Sequence, residues 1–140
     1  MLIKDISLAP SGHDKIDWVR PAMPVLAGVE QEFLKTKPLK GLKMSISIHL
    51  EAKTAYLAHV LRSGGADVAV TGCNPLSTQD DVAAALADDG FDVYGVTGRR
   101  WRNTTAIFWG RFPTSRTSSW TTAAISPPFC MRNVPTLRRS

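Results

Sequence analysis

A regular alternation of strand-like and helix-like segments between Met44 and Tyr94 constrains the fold more than any other feature. The strand-like segments alternate with period two or are short β-branched runs, and the helix-like segments repeat apolar residues every three or four positions. In chain order the predicted elements are a strand at Met44–Ile48, a helix at Glu51–Arg62, a strand at Val68–Thr71, a helix from Ser77 or Thr78 to Asp88, and a strand at Phe91–Tyr94. This β-α-β-α-β order with short turns predicts an α/β fold with a partial, doubly wound parallel sheet of the Rossmann-like kind.

An amphipathic stretch precedes the first strand. Ser11–Asp14 supplies capping groups, and apolar residues then recur at helical spacing as far as Phe33. Pro21 and Pro24 interrupt this stretch, so we expect a kinked N-terminal helix or two shorter helices. The large apolar side chains of the stretch that are predicted to lie in the core are Trp18, Met23 and Phe33.

Charge divides the chain into two unlike parts. Residues 1–96 hold nine Lys and Arg and all twelve Asp and Glu, a net charge of −3, whereas residues 97–140 hold eight Arg and no Lys, Asp or Glu, a net charge of +8. The second part is also rich in Ser, Thr and Pro and has no sustained periodicity. We therefore predict one folded domain over residues 1–96 and an irregular or disordered basic tail over residues 97–140.

Several classes of protein are disfavoured by the sequence. No apolar run approaches the ~20 residues of a membrane span, and the N-terminus lacks the pattern of a secretory signal. The two cysteines, Cys73 and Cys130, are far apart and fit a reducing compartment, so we expect a cytoplasmic protein. Glycine-rich nucleotide loops and zinc motifs are absent from the sequence, so no local motif indicates a bound cofactor or metal ion.

Polar residues follow the first two predicted strands. The first strand leads into His49, Glu51 and Lys53, and the second leads into the loop Gly72–Asp80. Because ligands of open α/β sheets bind beyond the carboxyl ends of the strands, these two segments are the candidate binding site. The loop also leads into a helix N-terminus, whose free N–H groups favour an electronegative ligand atom.

Each candidate also has a purely structural interpretation. Ser77 or Thr78 could form a capping box with the acidic residues three positions later, and Asn74 before Pro75 is typical of a turn. His49 could be a hydrogen-bonded histidine at the sheet edge. Solvated charges are the default for the remaining two candidates, Glu51 and Lys53.

Five segments, taken in order, resemble one family. They are Asp5–Ala9, Met23–Pro24, Lys37–Gly41, Ile48–Ala55 and Gly72–Asp80, and Asn-Pro-Leu-Ser-Thr-Gln-Asp within the last of them is the most diagnostic. In sequence and spacing, residues 3–96 resemble the N-terminal part of the substrate domain of S-adenosylhomocysteine hydrolases.

The resemblance implies a cytoplasmic, homotetrameric enzyme of one-carbon metabolism that contains tightly bound NAD. Its reaction is the reversible hydrolysis of S-adenosylhomocysteine to adenosine and homocysteine, in which NAD transiently oxidises the ribose 3′-hydroxyl. By position, the resemblance assigns substrate binding to His49, Glu51, Lys53, Thr54, Asn74, Ser77, Thr78 and Gln79. Glu51 stands where many members have threonine, and Lys53 where many have the glutamate that reads adenine, a form similar to a bacterial and archaeal subgroup.

The segment after Gly95 departs from the family pattern. Members continue with Lys-Pro-Asp and then Asp-Asp-Gly-Gly-Asp-Leu-Thr, which supplies a catalytic aspartate. Codons for residues 111–126 permit that motif in a frame that starts one base earlier, and the Trp120 and Thr121 codons force an aspartate there, because TGG followed by AC contains GAC. We hypothesise that the chain from about Thr97 onward is a frame-shifted translation of the same gene.

Two functions follow as expectations. The first is a fragment of an adenosylhomocysteinase that lacks a complete catalytic set and the dinucleotide domain, so this chain alone is expected to be inactive and to bind no NAD. The alternative is a small α/β module whose basic arm, with Trp101, Trp109 and Trp120 among its arginines, binds nucleic acid or acidic surfaces. The missing lysines and the codon pattern count against the alternative.

Overall fold

The computed structural model describes residues 1–98, so the predicted tail from residue 99 onward lies outside the described residues. A 3₁₀ turn at Ile6–Leu8 begins the fold, and a second one at Arg20–Ala22 separates the first two helices. The helices and strands are α1 (Ala9–Val19), α2 (Pro24–Thr36), β1 (Lys43–Ile48), α3 (Ala52–Ser63), β2 (Asp67–Gly72), α4 (Asp80–Asp88) and β3 (Asp92–Tyr94). This order confirms the predicted α/β class.

The three strands form one parallel sheet in the order β1-β2-β3. Ile48 is the register partner of Gly72, so the carboxyl ends of β1 and β2 lie side by side. Leu2 forms an isolated parallel bridge beside β3, where its N–H donates to the Val93 carbonyl at 2.6 Å. The predicted parallel sheet is therefore confirmed, and its strand ends are adjacent as a shared site requires.

The core lies between the sheet and the helices α1, α3 and α4. Residues 82–87 of α4 are all buried, because the sheet covers one side of the helix and α1 packs against another. Gly12 makes that packing possible, since a Cβ at this position would lie 2.1 Å from the Asp81 carbonyl oxygen. In the described helices no span is long and apolar enough to cross a membrane.

The N-terminal region forms two helices rather than one kinked helix. α1 ends at Val19, and Pro24 occupies the first turn of α2, where its missing N–H removes no helical hydrogen bond. Met23 and Phe33 pack against the core as predicted, but the prediction for Trp18 is wrong, because its side chain is 81% exposed. The buried face of α1 consists instead of Ala9, Gly12, Ile16 and Val19.

Candidate functional site

The loops after β1 and β2 are joined by backbone hydrogen bonds. The Cys73 N–H donates to the Ile48 carbonyl at 3.0 Å, and the Gln79 N–H donates to the Leu50 carbonyl at 3.0 Å. The loop of residues 73–79 therefore begins beside the last residue of β1 and ends on the segment that follows β1, and the two candidate segments form one surface at the carboxyl end of the sheet.

A side-chain hydrogen bond joins the two loops directly. His49 Nδ1 lies 2.6 Å from Ser77 Oγ, although the two residues are 28 positions apart. The Thr54 hydroxyl, which is buried, donates to the His49 carbonyl at 2.6 Å and thereby ties the start of α3 to the same loop. His49 is exposed, so its ring is available to a ligand at the sheet edge.

The carbonyl of Asn74 organises the second loop. It accepts hydrogen bonds from the Ser77 N–H at 3.2 Å and the Thr78 hydroxyl at 3.0 Å, and the Ser77 hydroxyl oxygen lies 3.3 Å from it. The Asn74 side chain accepts from the Leu76 N–H at 3.0 Å, which is the turn interaction that the structural interpretation expected.

The capping prediction for this loop is wrong. The N-cap residue of α4 is Gln79, and its side chain makes no capping hydrogen bond. Ser77 and Thr78 lie too early in the loop: the Ser77 hydroxyl contacts His49 and the Thr78 hydroxyl donates to the Asn74 carbonyl, and neither binds the helix N-terminus. The two hydroxyls therefore shape the loop, and Thr78 is buried beneath it.

Gln79 carries a polar atom with an unmet hydrogen-bonding capacity. Its Oε1 is buried and has no hydrogen-bond partner among residues 1–98. A buried acceptor without a donor costs about 1–3 kcal/mol, so this oxygen is suited to accept a hydrogen bond from a group outside the described part of the chain.

Glu51 and Lys53 lie at the beginning of α3. Glu51 is the N-cap residue, and its side chain, which is half-buried, makes no capping hydrogen bond. Lys53 is exposed two residues further on, and neither side chain forms an ion pair with another residue that the structure describes. The structure therefore places both charges beside the strand-end surface, on the side formed by α3.

Thr97 is a site residue that sequence reasoning missed. Its N–H donates to Asp80 Oδ1 at 2.8 Å, and its hydroxyl donates to the Thr78 carbonyl at 2.6 Å. The signal was available, because Thr97 follows the carboxyl end of β3 just as His49 follows that of β1. The change in composition after residue 96 predicted instead that Thr97 belongs to the tail.

Asp80 is charged and held by several donors. Burial favours the neutral carboxyl, but hydrogen bonds from Thr97 and from the Lys4 ammonium, 3.1 Å away, outweigh it and lower the pKa below its usual 3.8. Asp81 behaves similarly: burial raises the pKa of its carboxyl, and the Lys15 ammonium at 2.6 Å outweighs that effect. The first turn of α4 therefore carries two negative charges.

The negative charge in the first turn of α4 disfavours an anionic cofactor at that helix N-terminus. A dinucleotide pyrophosphate binds at a helix N-terminus that presents free N–H groups and no competing anion. The N-terminus of α4 presents two carboxylates, and glycine-rich loops do not precede any described helix. The N-terminus of α4 therefore does not fit a dinucleotide pyrophosphate. No group of three or more His, Cys, Asp or Glu within residues 1–98 is arranged to hold a metal ion.

Comparison with known proteins finds one family in both the family-model match and the individual relatives. The sequence model of the family described as S-adenosyl-L-homocysteine hydrolase matches residues 1–121. The chain is 55% identical over 96 residues to an S-inosyl-L-homocysteine hydrolase of Methanococcus maripaludis and 54% identical over 96 residues to an adenosylhomocysteinase of Pyrococcus abyssi. Each match covers 69% of this chain and 23% of the relative.

A third relative shows higher identity over a shorter region. An S-inosyl-L-homocysteine hydrolase of Methanosarcina mazei is 61% identical over 79 residues, which are 56% of this chain and 19% of the relative. The matched region thus spans about a quarter or less of the length of these curated relatives. The family match reaches residue 121, beyond the predicted domain boundary at residue 96, and that boundary stays a prediction.

Proposed function

Because this chain belongs to the S-adenosyl-L-homocysteine hydrolase family, we propose that its strand-end surface binds the nucleoside part of an S-nucleosylhomocysteine. The observation that carries the proposal is the 2.6 Å contact between His49 and Ser77, which joins two loops at the carboxyl ends of adjacent parallel strands. Ligands of open α/β sheets bind at this kind of position. The family is a hydrolase, and the proposed role of this region is to hold the substrate.

The polar groups of the surface complement a nucleoside. The exposed ring of His49 and the buried Oε1 of Gln79 offer one titratable group and one acceptor, which suit hydroxyl and amine groups. Asn74, Thr54 and Thr78 use their hydrogen bonds within the protein, so we assign them the role of fixing the loops rather than contacting the ligand. Substrate contact is therefore proposed for His49 and Gln79. It is also proposed for the charged pair at the beginning of α3, Glu51 and Lys53.

The charged pair on α3 is proposed to read the purine base. Adenine presents an amino donor beside a ring nitrogen acceptor, and hypoxanthine presents a carbonyl acceptor beside a ring N–H donor. A carboxylate and an ammonium group, here Glu51 and Lys53, can complement both arrangements. The relatives include proteins named for the adenosyl and for the inosyl compound, so both nucleosides belong in the test.

The resemblance implies that NAD oxidises the ribose 3′-hydroxyl, and we assign the binding of that NAD to a different part of the family protein. Because the N-terminus of α4 does not fit a dinucleotide pyrophosphate, we propose that the dinucleotide is bound by parts of the family protein beyond this region. The 140-residue chain is then expected to bind a nucleoside and to release no homocysteine from S-adenosylhomocysteine or S-inosylhomocysteine when NAD is added.

Calorimetric titration of the chain with adenosine and with inosine tests the proposal. We expect saturable binding of at least one nucleoside, weakened about fivefold or more by Gln79→Ala, because the variant removes a buried acceptor worth about 1–3 kcal/mol. Gln31→Ala is the matched control, since this exposed glutamine lies on α2 away from the site. Equal weakening by both variants, or no binding of either nucleoside, would contradict the proposal.

The frame-shift hypothesis remains a separate proposal about the chain from about Thr97 onward, of which the structure describes only Thr97 and Gly98. It is supported by the absence of Lys, Asp and Glu from residues 97–140 and by codons that permit the family motif. Sequencing the gene across the codons for Gly95 to Gly98 tests it. We expect a base inserted or deleted there relative to the reading frame of the family. A single uninterrupted reading frame that encodes residues 1–140 without such a base would overturn the hypothesis.

A further inference from the structure

The Ser77 hydroxyl lies between two groups that could each accept a hydrogen bond from it. His49 Nδ1 is 2.6 Å from Ser77 Oγ, and the Asn74 carbonyl oxygen is 3.3 Å from the same atom. A hydroxyl has one proton to donate, so only one of these two contacts can be a Ser77 donation at a time. Which one it is decides where His49 carries its own proton.

The surroundings of the Asn74 carbonyl decide between the two. A carbonyl oxygen has two lone pairs. The Thr78 hydroxyl at 3.0 Å and the Ser77 N–H at 3.2 Å already donate to this oxygen, and both contacts are shorter than that of the Ser77 hydroxyl. The hydroxyl proton of Ser77 is therefore directed to His49 Nδ1.

From this geometry we infer that Ser77 is a positioning residue that sets the tautomer of His49. When Nδ1 accepts from Ser77, the proton of the neutral ring must lie on Nε2. His49 then presents an N–H donor at the strand-end surface, which suits an oxygen or sulfur acceptor of the substrate. The inference rests on the proposed function for the meaning of that donor, but the tautomer itself is independent of any ligand.

The same contacts accommodate a protonated ring. If His49 gains a second proton, both ring nitrogens become donors, and Nδ1 must then donate to Ser77 Oγ. The Ser77 hydroxyl then turns its proton toward the Asn74 carbonyl oxygen, 3.3 Å away, which accepts it as a third and weaker hydrogen bond. One rotation of one hydroxyl thus keeps the hydrogen bond to His49 in both protonation states and holds the ring in place.

Nitrogen NMR of the full 140-residue chain with labelled histidines measures the tautomer directly. At about pH 8 the neutral His49 ring of the wild-type chain is expected to carry its proton on Nε2. Ser77→Ala should return the ring toward the tautomer mixture of a short peptide with the sequence around His49. The expected change is roughly two- to tenfold in the tautomer ratio, the equivalent of one net hydrogen bond.

Two further variants make the test specific. Ser77→Thr keeps a hydroxyl and should retain the wild-type tautomer. Thr78→Val frees a lone pair on the Asn74 carbonyl, so the Ser77 proton should move there and the His49 proton should move toward Nδ1. A purely structural role for either hydroxyl predicts no change in the tautomer ratio of His49.

The remaining histidines serve as internal controls. His13 pairs with Asp88, and His59 packs against Phe91, so their signals report whether a variant is folded. If Ser77→Ala is unfolded by this criterion, Thr78→Val decides the question. A wild-type ring with the peptide mixture, or a Thr78→Val ring that keeps the wild-type tautomer, overturns the inference. Because no ligand is present, either result leaves the nucleoside-binding proposal to its own test.

Discussion

Asp80 joins three parts of the chain through one carboxylate. It accepts from Lys4 near the N-terminus and from Thr97 after β3, and it belongs to the first turn of α4. Its negative charge also interacts favourably with the N-terminal end of the helix dipole. Because its pKa is lowered in the folded protein, this carboxylate links stability to pH.

The first prediction concerns Asp80→Asn. A carboxyl whose pKa is lower in the folded state stabilises the fold fully above its unfolded pKa, and that stabilisation is lost as pH falls through the folded pKa. At pH 7 the variant should lose about 1–2 kcal/mol of unfolding free energy, since hydrogen bonds to charged groups contribute on this scale. Urea unfolding at pH 7 and at about pH 3 should show a smaller acid-induced loss in the variant than in the wild type.

Asp14→Asn is the control, because Asp14 is an exposed carboxylate of α1. Its unfolding free energy should stay within about 0.5 kcal/mol of the wild-type value at pH 7, as is usual for surface substitutions. If Asp80→Asn lost as much stability on acidification as the wild type, the lowered pKa of Asp80 would not contribute to the fold.

Residue-scale detail of the site was only partly predictable. Sequence placed His49 and Ser77 at adjacent strand ends, and the structure brings them together. The partners of the Ser77 and Thr78 hydroxyls could not be predicted, because the Asn74 carbonyl competes with the helix N-terminus for them. That competition depends on loop geometry, which periodicity does not contain.

Among the elements, the contact between α1 and α4 has the least room. A Cβ on Gly12 would lie 2.1 Å from the Asp81 carbonyl oxygen and 2.8 Å from the Ala85 side chain. The second prediction is that Gly12→Ala forces the helices apart and costs about 1–3 kcal/mol, the usual cost of overpacking. Thermal unfolding followed by circular dichroism measures it.

Gly28→Ala is the matched substitution on another helix. Gly28 is exposed in α2, and a Cβ there would meet nothing within 4 Å. The substitution should stabilise the protein by up to about 1 kcal/mol, because alanine favours the helix more than glycine does. Equal effects of the two substitutions would show that backbone propensity, and not the α1–α4 contact, determines the cost at Gly12.

The elements themselves were predictable because their periodicity is strong, but the inward face of α1 was not. Ile16 and Val19 are buried, and Trp18 lies two positions after Ile16, roughly 200° around the helix and so toward solvent. Its size and hydrophobicity predicted burial, but the packing of α1 against α4 determines which side of the helix faces inward. Helical geometry therefore outweighs the hydrophobicity of a single side chain.

At the scale of the whole chain, the described fold reaches slightly beyond the predicted domain boundary. Thr97 hydrogen-bonds to Asp80 and Thr78, and the Gly98 N–H donates to the Pro75 carbonyl at 3.1 Å. Composition predicted a boundary at residue 96. It averages over many residues, so it does not detect the single hydrogen bonds of the two residues that follow. The backbone contacts of Thr97 and Gly98 place them with the strand-end loops.

The third prediction follows from these contacts. A chain that ends at Gly98 should unfold within a few degrees of the 140-residue chain, because residues 1–98 contain the sheet, the four helices and the core. Thr97→Ala in the same shortened chain should lower the free energy of unfolding by about 1 kcal/mol through loss of its hydroxyl hydrogen bond. A shortened chain that fails to fold would mean that residues 99–140 contribute to the domain.

The most direct test of the account is to locate nucleoside binding on the folded chain. Amide NMR spectra recorded during titration with adenosine and with inosine should show shifts concentrated at residues 49–54 and 73–79, at the carboxyl end of the sheet. The lysine-rich segment of residues 35–43 lies at the opposite end and should not respond. Shifts concentrated at residues 35–43, or none at the strand-end loops at saturating nucleoside, would contradict the claim that these loops form a substrate site.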